Sequence, residues 1–284
     1  MNSDRLIKIL LAYLKIVRPV NMVITFASLY LAGILCGGAF SDSEILYAAL
    51  SAAFTAAGGN IINDVFDVKI DKINRPDRPL PAGLISKNAA LNYYLIINLA
   101  AFSFAALINV YSLVIVLFSV TFIFFYCYHI KKVILIGNIV VSFLTGLAFV
   151  YGGVAVGNPY AGIIPGIFAL LANLIREVVK DMQDIEGDKK NGIITLPQKY
   201  GINTGVLVTR VFTIVIILFT FIPFLCKIYH IEFFIAVMIT ANPLYVYIFK
   251  NIGIEKTPVF YGKMSALLKG NMVLGLIAIY LGIM

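Results

Sequence analysis

The sequence predicts an all-α polytopic membrane protein: about nine transmembrane helices around a central cavity, with cytoplasmic cap loops and the N-terminus inside. Three observations predict it. The 284 residues are 61% hydrophobic and only 13% charged, with a mean hydropathy of +0.96, more apolar surface than a soluble domain of this length can hide. The apolar residues fall in continuous runs of the roughly 20 residues that a spanning helix needs, without the alternation of a barrel strand. Basic residues gather on one side of these runs, as the positive-inside rule requires.

Residues 1–19 mix basic and apolar positions (Arg5, Leu6, Ile7, Lys8, Leu10, Leu11, Leu14, Lys15), the pattern of an amphipathic helix at the membrane surface. Arg18-Pro19 marks the start of the first span, near 20–38. Further spans are placed near 44–66, 88–109, 112–129, 133–153, 161–180, 203–225, 231–250 and 264–283. With the N-terminus inside, the connections after the second, fourth, sixth and eighth spans are inside too. Of the 22 Lys and Arg residues only Lys227 then falls in an outside connection, and one missed helix would scramble that bias. The net charge of +8 is therefore a topology signal, and no nucleic-acid partner is expected. The chain is read as one domain, 1–284, with 67–87 and 181–202 as cytoplasmic cap segments. Cys36, Cys127 and Cys226 stand far apart in apolar runs, so neither a disulfide framework nor a zinc site is expected. His129 and His230 are isolated at helix ends, and no removable signal peptide is evident.

Chemistry concentrates in two polar stretches. The first, Gly58 to Gly83, carries Asn60, Asn63, Asp64, Asp67 and Asp71 at spacings that put them along one helix face. Such a carboxylate row repels itself unless a cation satisfies it. Arg75 and Arg78 follow, each before a proline that stiffens the turn. The second stretch, Arg176 to Gly201, repeats the three-then-four spacing at Asp181, Asp184 and Asp188, with Lys189 and Lys190 behind. The stretches lie four spans apart, so both helices cross in the same direction. This suggests a parallel internal duplication whose acidic ends converge on one cavity. Paired carboxylate clusters suit two Mg2+ ions sharing the oxygens of a diphosphate. No P-loop or dinucleotide fingerprint offers a nucleotide cradle, so a diphosphate with an apolar tail fits better. Tyr126, Tyr128 and Lys132, at the inner end of the fourth span, could complete the pocket.

These residues resemble the UbiA-type intramembrane prenyltransferases, whose NDxxDxxxD pattern after the second helix is matched by Asn63, Asp64, Asp67 and Asp71. The DxxxD pattern after the sixth helix is matched by Asp184 and Asp188, and the NRPDRPLPAG run and Tyr128 with Lys132 also look like family features. The resemblance implies a nine-helix arrangement open sideways to lipid, with Mg2+ and diphosphate under cap loops in a cell-membrane protein. Within the family, the motifs look most like those of archaeal enzymes that move a geranylgeranyl group from its diphosphate onto geranylgeranylglyceryl phosphate. On that reading Asp67, Asp71, Asp184 and Asp188 hold the metals, supported by Asn63, Asp64 and Asp181. Arg75, Arg78, Lys132 and Tyr128 take the donor diphosphate. Arg176 and Lys180, one turn apart, are candidates for the acceptor's phosphate, against the blander reading of pairing with Glu177 and Asp181. Aromatic or tetrapyrrole acceptors are the alternative within the family. A cation-coupled transporter is the alternative outside it, although transporter sites usually lie near the midplane on broken helices.

Overall fold

A computed structural model describes residues 3–190 and 194–284, without the side chains of residues 3–5, Asn74 and Lys190. The Lys190 side chain and Asn191, in the second basic run, thus lie outside the described residues. Those described are overwhelmingly helical, and no strand occurs among them. Eight helical stretches among them are long and apolar enough to cross a membrane, and the count is nine if the pair Leu6–Val17 and Pro19–Leu35, bent by 40°, is taken as one span. The chain divides into two compact units: residues up to 130 with 148–159, and residues 131–147 with 160–284.

The first unit contains α1 (Ser3–Val17), α2 (Pro19–Leu35), α3 (Ser43–Asn74), α4 (Lys87–Ala106), α5 (Val110–Tyr128) and the last turns of α6 (Ile136–Ala155). At 1.5 Å per residue, the 32 residues of α3 run for about 48 Å, well beyond the ~30 Å of a bilayer's hydrocarbon. Its polar last turns can therefore leave the apolar layer, and these turns carry Asp64, Asp67 and Asp71. Side chains fix where the neighbours begin: Ser86 accepts from the Ala89 N–H at the start of α4, and Asn109 from the Ser112 N–H at the start of α5. Beyond α3 the chain turns back through 75–86, held down by Leu80 and Ile85. These two are buried with Ala12, Ile16 and Val17 of α1 and Ile61, Ile62 and Val65 of α3. Helix α6 meets α2 backbone to backbone: a Cβ at Gly152 would stand 2.7 Å from the Gly33 nitrogen, a close approach only small residues permit.

The second unit takes the first turns of α6, then α7 (Ile163–Gln183), α8 (Ile185–Lys190), α9 (Leu196–Tyr200), α10 (Ile202–Phe219), α11 (Phe221–Leu225), α12 (Ile231–Ile239), α13 (Ala241–Asn251) and α14 (Pro258–Ile283). Helix α7 packs against α10 and α14. Two of the spans are interrupted, at Thr220 and at Thr240, and hydroxyls and amides satisfy the backbone there. Thr220 Oγ1 donates to the Ile217 carbonyl at 2.6 Å and Thr240 Oγ1 to that of Ala236 at 2.7 Å. Asn242 Nδ2 donates to Thr220 Oγ1 at 3.0 Å and Asn271 Nδ2 to the Ala241 carbonyl at 3.2 Å. Irregular backbone at membrane depth needs such partners.

Candidate active site

The first acidic cluster lies on the end of α3, as its spacing predicts, and its charges are closed by arginines. Asp64 is nearly inaccessible, its side chain 3% exposed. Its Oδ1 accepts from Arg18 Nη2 at 2.6 Å and from Arg78 Nη1 at 3.1 Å. The same Arg78 nitrogen donates to Asp71 Oδ2 at 2.6 Å. Asn63 and Asp67 are half-buried and both engaged, whereas Arg75 is exposed. Asn60, on the same face, serves the fold, because its Nδ2 donates to the Val17 carbonyl at 3.0 Å and so caps the end of α1. At the rim, Lys15 donates to both the backbone carbonyl and the carboxylate of Asp77, which lowers the Asp77 pKa.

Arg18 reaches Asp64 from an unusual backbone. Its φ of 53° and ψ of 74° are left-handed, which costs a residue with a Cβ about 1–2 kcal/mol. Pro19 contributes by disfavouring the right-handed helical region for the residue before it. A charge-assisted hydrogen bond contributes roughly 1.5–3 kcal/mol, enough to offset that cost.

An aromatic group borders this cluster. Phe66 on α3 meets Tyr128 and Phe124 of α5 edge-on, with ring centroids 5.6 and 5.5 Å apart. Tyr128 is 61% exposed, so its ring is available to a ligand, while Tyr126 is half-buried. Lys132 ends the short 3-10 turn Ile130–Lys132 and is exposed.

The second cluster differs in both shape and charge. The three-then-four spacing matches one helix face, but α7 stops at Gln183. Asp184 caps it with φ −102° and ψ 13°, and Asp188 sits on the separate short helix α8. Backbone still links them, since the Asp188 N–H donates to the Asp184 carbonyl at 2.9 Å. Asp181 accepts from Asn138 Nδ2 at 2.8 Å. Among the described residues no Lys or Arg lies within salt-bridge distance of Asp181, Asp184 or Asp188. Burial, reinforced by the neighbouring Asp184 charge, pushes the Asp188 pKa up to about 6. Arg176 donates to Glu177 at 2.9 Å, so the bland alternative of local pairing is realised, with the adjacent acid; Lys180 is exposed.

No three His, Cys, Asp or Glu side chains among the described residues form a ready-made metal cage. A small divalent cation that keeps its waters and a ligand's phosphate oxygens needs only one or two carboxylates. Asp184 and Asp188, without a salt bridge among the described residues and linked by a backbone hydrogen bond, fit that requirement. Two residues do more than their sequence context indicates. In sequence Arg18 is only the marker of a span's start, though a cation beside a proline at a helix junction is a usable signal. Asn138 is one amide in an apolar run, and nothing local ties it to Asp181.

A many-spanning α-helical protein with buried carboxylates and guanidinium groups at its helix ends is a class suited to polyphosphate chemistry at a membrane. The chain belongs to the UbiA prenyltransferase family, whose sequence pattern matches residues 21–268. This sets aside the transporter alternative. The digeranylgeranylglyceryl phosphate synthase of Methanothermobacter thermautotrophicus is 43% identical over 202 residues, 69% of each chain. A solved structure of digeranylgeranylglyceryl phosphate synthase shares 32% identity at a TM-score of 0.86, covering 96% of this chain and 98% of that one. A UbiA homolog from Archaeoglobus fulgidus bound to GPP and Mg2+ has the same fold at 20% identity, with a TM-score of 0.65 over 95% of this chain and 99% of that one.

Proposed function

We propose that this protein transfers a geranylgeranyl group from its diphosphate to the free hydroxyl of geranylgeranylglyceryl phosphate, forming the second ether bond of an archaeal membrane lipid. The similarity to digeranylgeranylglyceryl phosphate synthase over nearly the whole chain carries this reading. Mg2+ is the cofactor: the Archaeoglobus homolog is bound to it, and the chemistry of Asp184 and Asp188 suits it. Asp67, Asp71, Asp184 and Asp188 are its proposed ligands, with Asn63 and Asp181 in support. When bound, the metal stabilises the negative charge of the leaving diphosphate.

The chain's own groups supply the rest. Arg75, Arg78, Lys132 and Tyr128 bind the donor diphosphate and hold its charge as the allylic C–O bond breaks. Phe66, Phe124 and Tyr128 keep water from the developing carbocation and offer it their π faces. Arg176 and Lys180 take the phosphate of the acceptor. We place this chemistry on the cytoplasmic face of the cell membrane, on the basis of the Lys and Arg distribution.

The test is purified protein given geranylgeranyl diphosphate with glyceryl phosphate, aromatic acid and tetrapyrrole acceptors in parallel. Transfer to the glyceryl phosphate lipid alone, abolished by EDTA and restored by Mg2+, is the expected result. Preference for an aromatic or tetrapyrrole acceptor would reassign the substrate within the family. Single cysteines at Arg75 and Lys189 should label from the cytoplasm, and one at Asn158 from the opposite side. Labelling of the first two from opposite sides would break the shared-face reading.

A further inference from the structure

We propose that Asp64 is the anchor of a guanidinium pair rather than a metal ligand, and that Arg18 is a donor-diphosphate residue which Asp64 positions. The identity of the anion rests on the prenyl-diphosphate reading above; the arrangement itself does not.

The charges lead there first. Asp64 and Asp71 contribute two negative charges, and Arg18 and Arg78 two positive ones, so the quartet is neutral. A divalent cation brought to Asp64 would meet two guanidinium groups already bound to the same oxygen, at 2.6 and 3.1 Å. It would have to break two charge-assisted hydrogen bonds and then face the displaced cations. An anion meets the opposite situation. Each guanidinium has five N–H donors, and the described contacts of Arg18 use one nitrogen. Its side chain remains 33% exposed although Asp64 is only 3% exposed, so donors are left over while the anchor is sealed. Arg78, 14% exposed, bridges the two carboxylates through its Nη1 alone and is the less accessible of the two guanidinium groups.

The backbone gives the second, independent reason. Arg18 is one of three described non-glycine residues with positive φ, the others being Leu135 and Lys227. It stands where α1 and α2 bend by 40°, and Asn60 of α3 grips the last carbonyl of α1 one residue earlier. A lysine or arginine that merely anchored a helix at the interface would need no left-handed turn and no buried acceptor. Here α3 holds both the backbone before Arg18 and the guanidinium itself, leaving the remaining N–H groups in a fixed direction. Pre-orientation of this kind lowers the entropy lost on binding a phosphate.

Binding measurements on the full-length protein in detergent test this without turnover. Mn2+ alone, followed by paramagnetic resonance, and inorganic diphosphate with Mg2+, followed by calorimetry, are the probes. Asp64→Asn should keep Mn2+ affinity within about twofold, while Asp184→Asn loses it by about tenfold or more. Asp64→Asn and Arg18→Gln should each weaken diphosphate about tenfold, and the double variant should be little worse than either, because one residue acts through the other. Arg18→Lys, which keeps the charge without the planar fork, should fall between. Arg18→Gly relaxes the left-handed backbone, so it should hold its Tm and still lose diphosphate affinity. Loss of Mn2+ in Asp64→Asn equal to that in Asp184→Asn would overturn the inference. So would undiminished diphosphate binding by Arg18→Gly, or penalties that multiply in the double variant. Failure to transfer geranylgeranyl to any glyceryl phosphate, with these binding results intact, would sink the substrate assignment and leave the inference standing.

Discussion

The two acidic clusters carry the same aspartate spacing and opposite electrostatics. At the end of α3, Asp64 and Asp71 are neutralised by Arg18 and Arg78 within 3.1 Å. At the end of α7, Asp181 has one amide partner, and Asp184 and Asp188 are linked through their backbone, the Asp188 N–H donating to the Asp184 carbonyl. Asp64 and Asp71 of the first cluster already have their cations; Asp184 and Asp188 of the second have none within salt-bridge distance among the described residues. Spacing decides which way carboxylates point along a helix; segments distant in sequence decide what those carboxylates want.

The largest expected effect breaks this comparison at its acidic side. With Mg2+ saturating, Asp184→Asn and Asp67→Asn should each lower kcat/KM by about a hundredfold, roughly 2–3 kcal/mol of transition-state stabilisation. Near-normal turnover in both would remove them from the reaction. The next test asks whether the acceptor has its own cations. Arg176→Gln or Lys180→Gln should raise the acceptor KM about tenfold and leave the donor KM nearly unchanged, as expected for one lost charge-assisted phosphate contact. Because Glu177 already occupies Arg176 at 2.9 Å, Lys180→Gln is the cleaner variant. A normal acceptor KM in both, with a phosphate-free acceptor working equally well, would reopen the substrate.

A pH titration sharpens the contrast further. Asp188 is pushed up to about 6, so without metal the fold favours its neutral form. That contribution is complete below the ordinary aspartate range and is lost as pH rises through about 6. Metal requires the ionised carboxylate, so Mg2+ affinity should fall as pH drops below about 6, approaching tenfold per unit. The metal-free protein should therefore lose Tm between pH 5 and 7, while Mg2+ raises Tm more at pH 7 than at pH 5. Equal Mg2+ shifts at both values would mean that Asp188 does not bind the ion.

Most of the fold was legible because hydrocarbon enforces it: an apolar run of span length has no other stable conformation in lipid. Several predicted and observed spans accordingly differ by a few residues, as at 88–109 and Lys87–Ala106, while α3, predicted to end at 66, continues to Asn74. The sixth span was placed to 180, close to the observed end of α7 at Gln183, but Asp188 on a separate short helix was not legible, since nothing in the Asp181–Asp188 run forbids a continuous helix. Asp64 shows the same limit at the site. Its carboxylate was readable as part of a metal-type motif, yet its partner Arg18 lies 46 residues earlier. Only the packing of α1 against α3 joins them.

The smallest effect concerns the rim of the first cluster and separates buried from exposed pairing. Lys15 and Asp77 are joined at 3.2 Å but are 55% and 77% exposed, so water and salt screen them. The lowered Asp77 pKa has the opposite sign to that of Asp188. What this pair contributes is present above the ordinary aspartate pKa and is lost as pH falls through the lowered one. Lys15→Gln should therefore change Tm very little at neutral pH, and high salt should erase the difference. Arg78→Gln, by contrast, strands Asp71, only 8% exposed, and leaves Asp64, 3% exposed, with Arg18 alone, and salt cannot rescue that loss. If Lys15→Gln proved as damaging as Arg78→Gln, the turn at 75–86 would be held by its surface charges and not by buried Leu80 and Ile85. The sealed quartet could then no longer be treated as the part that organises this end of the molecule.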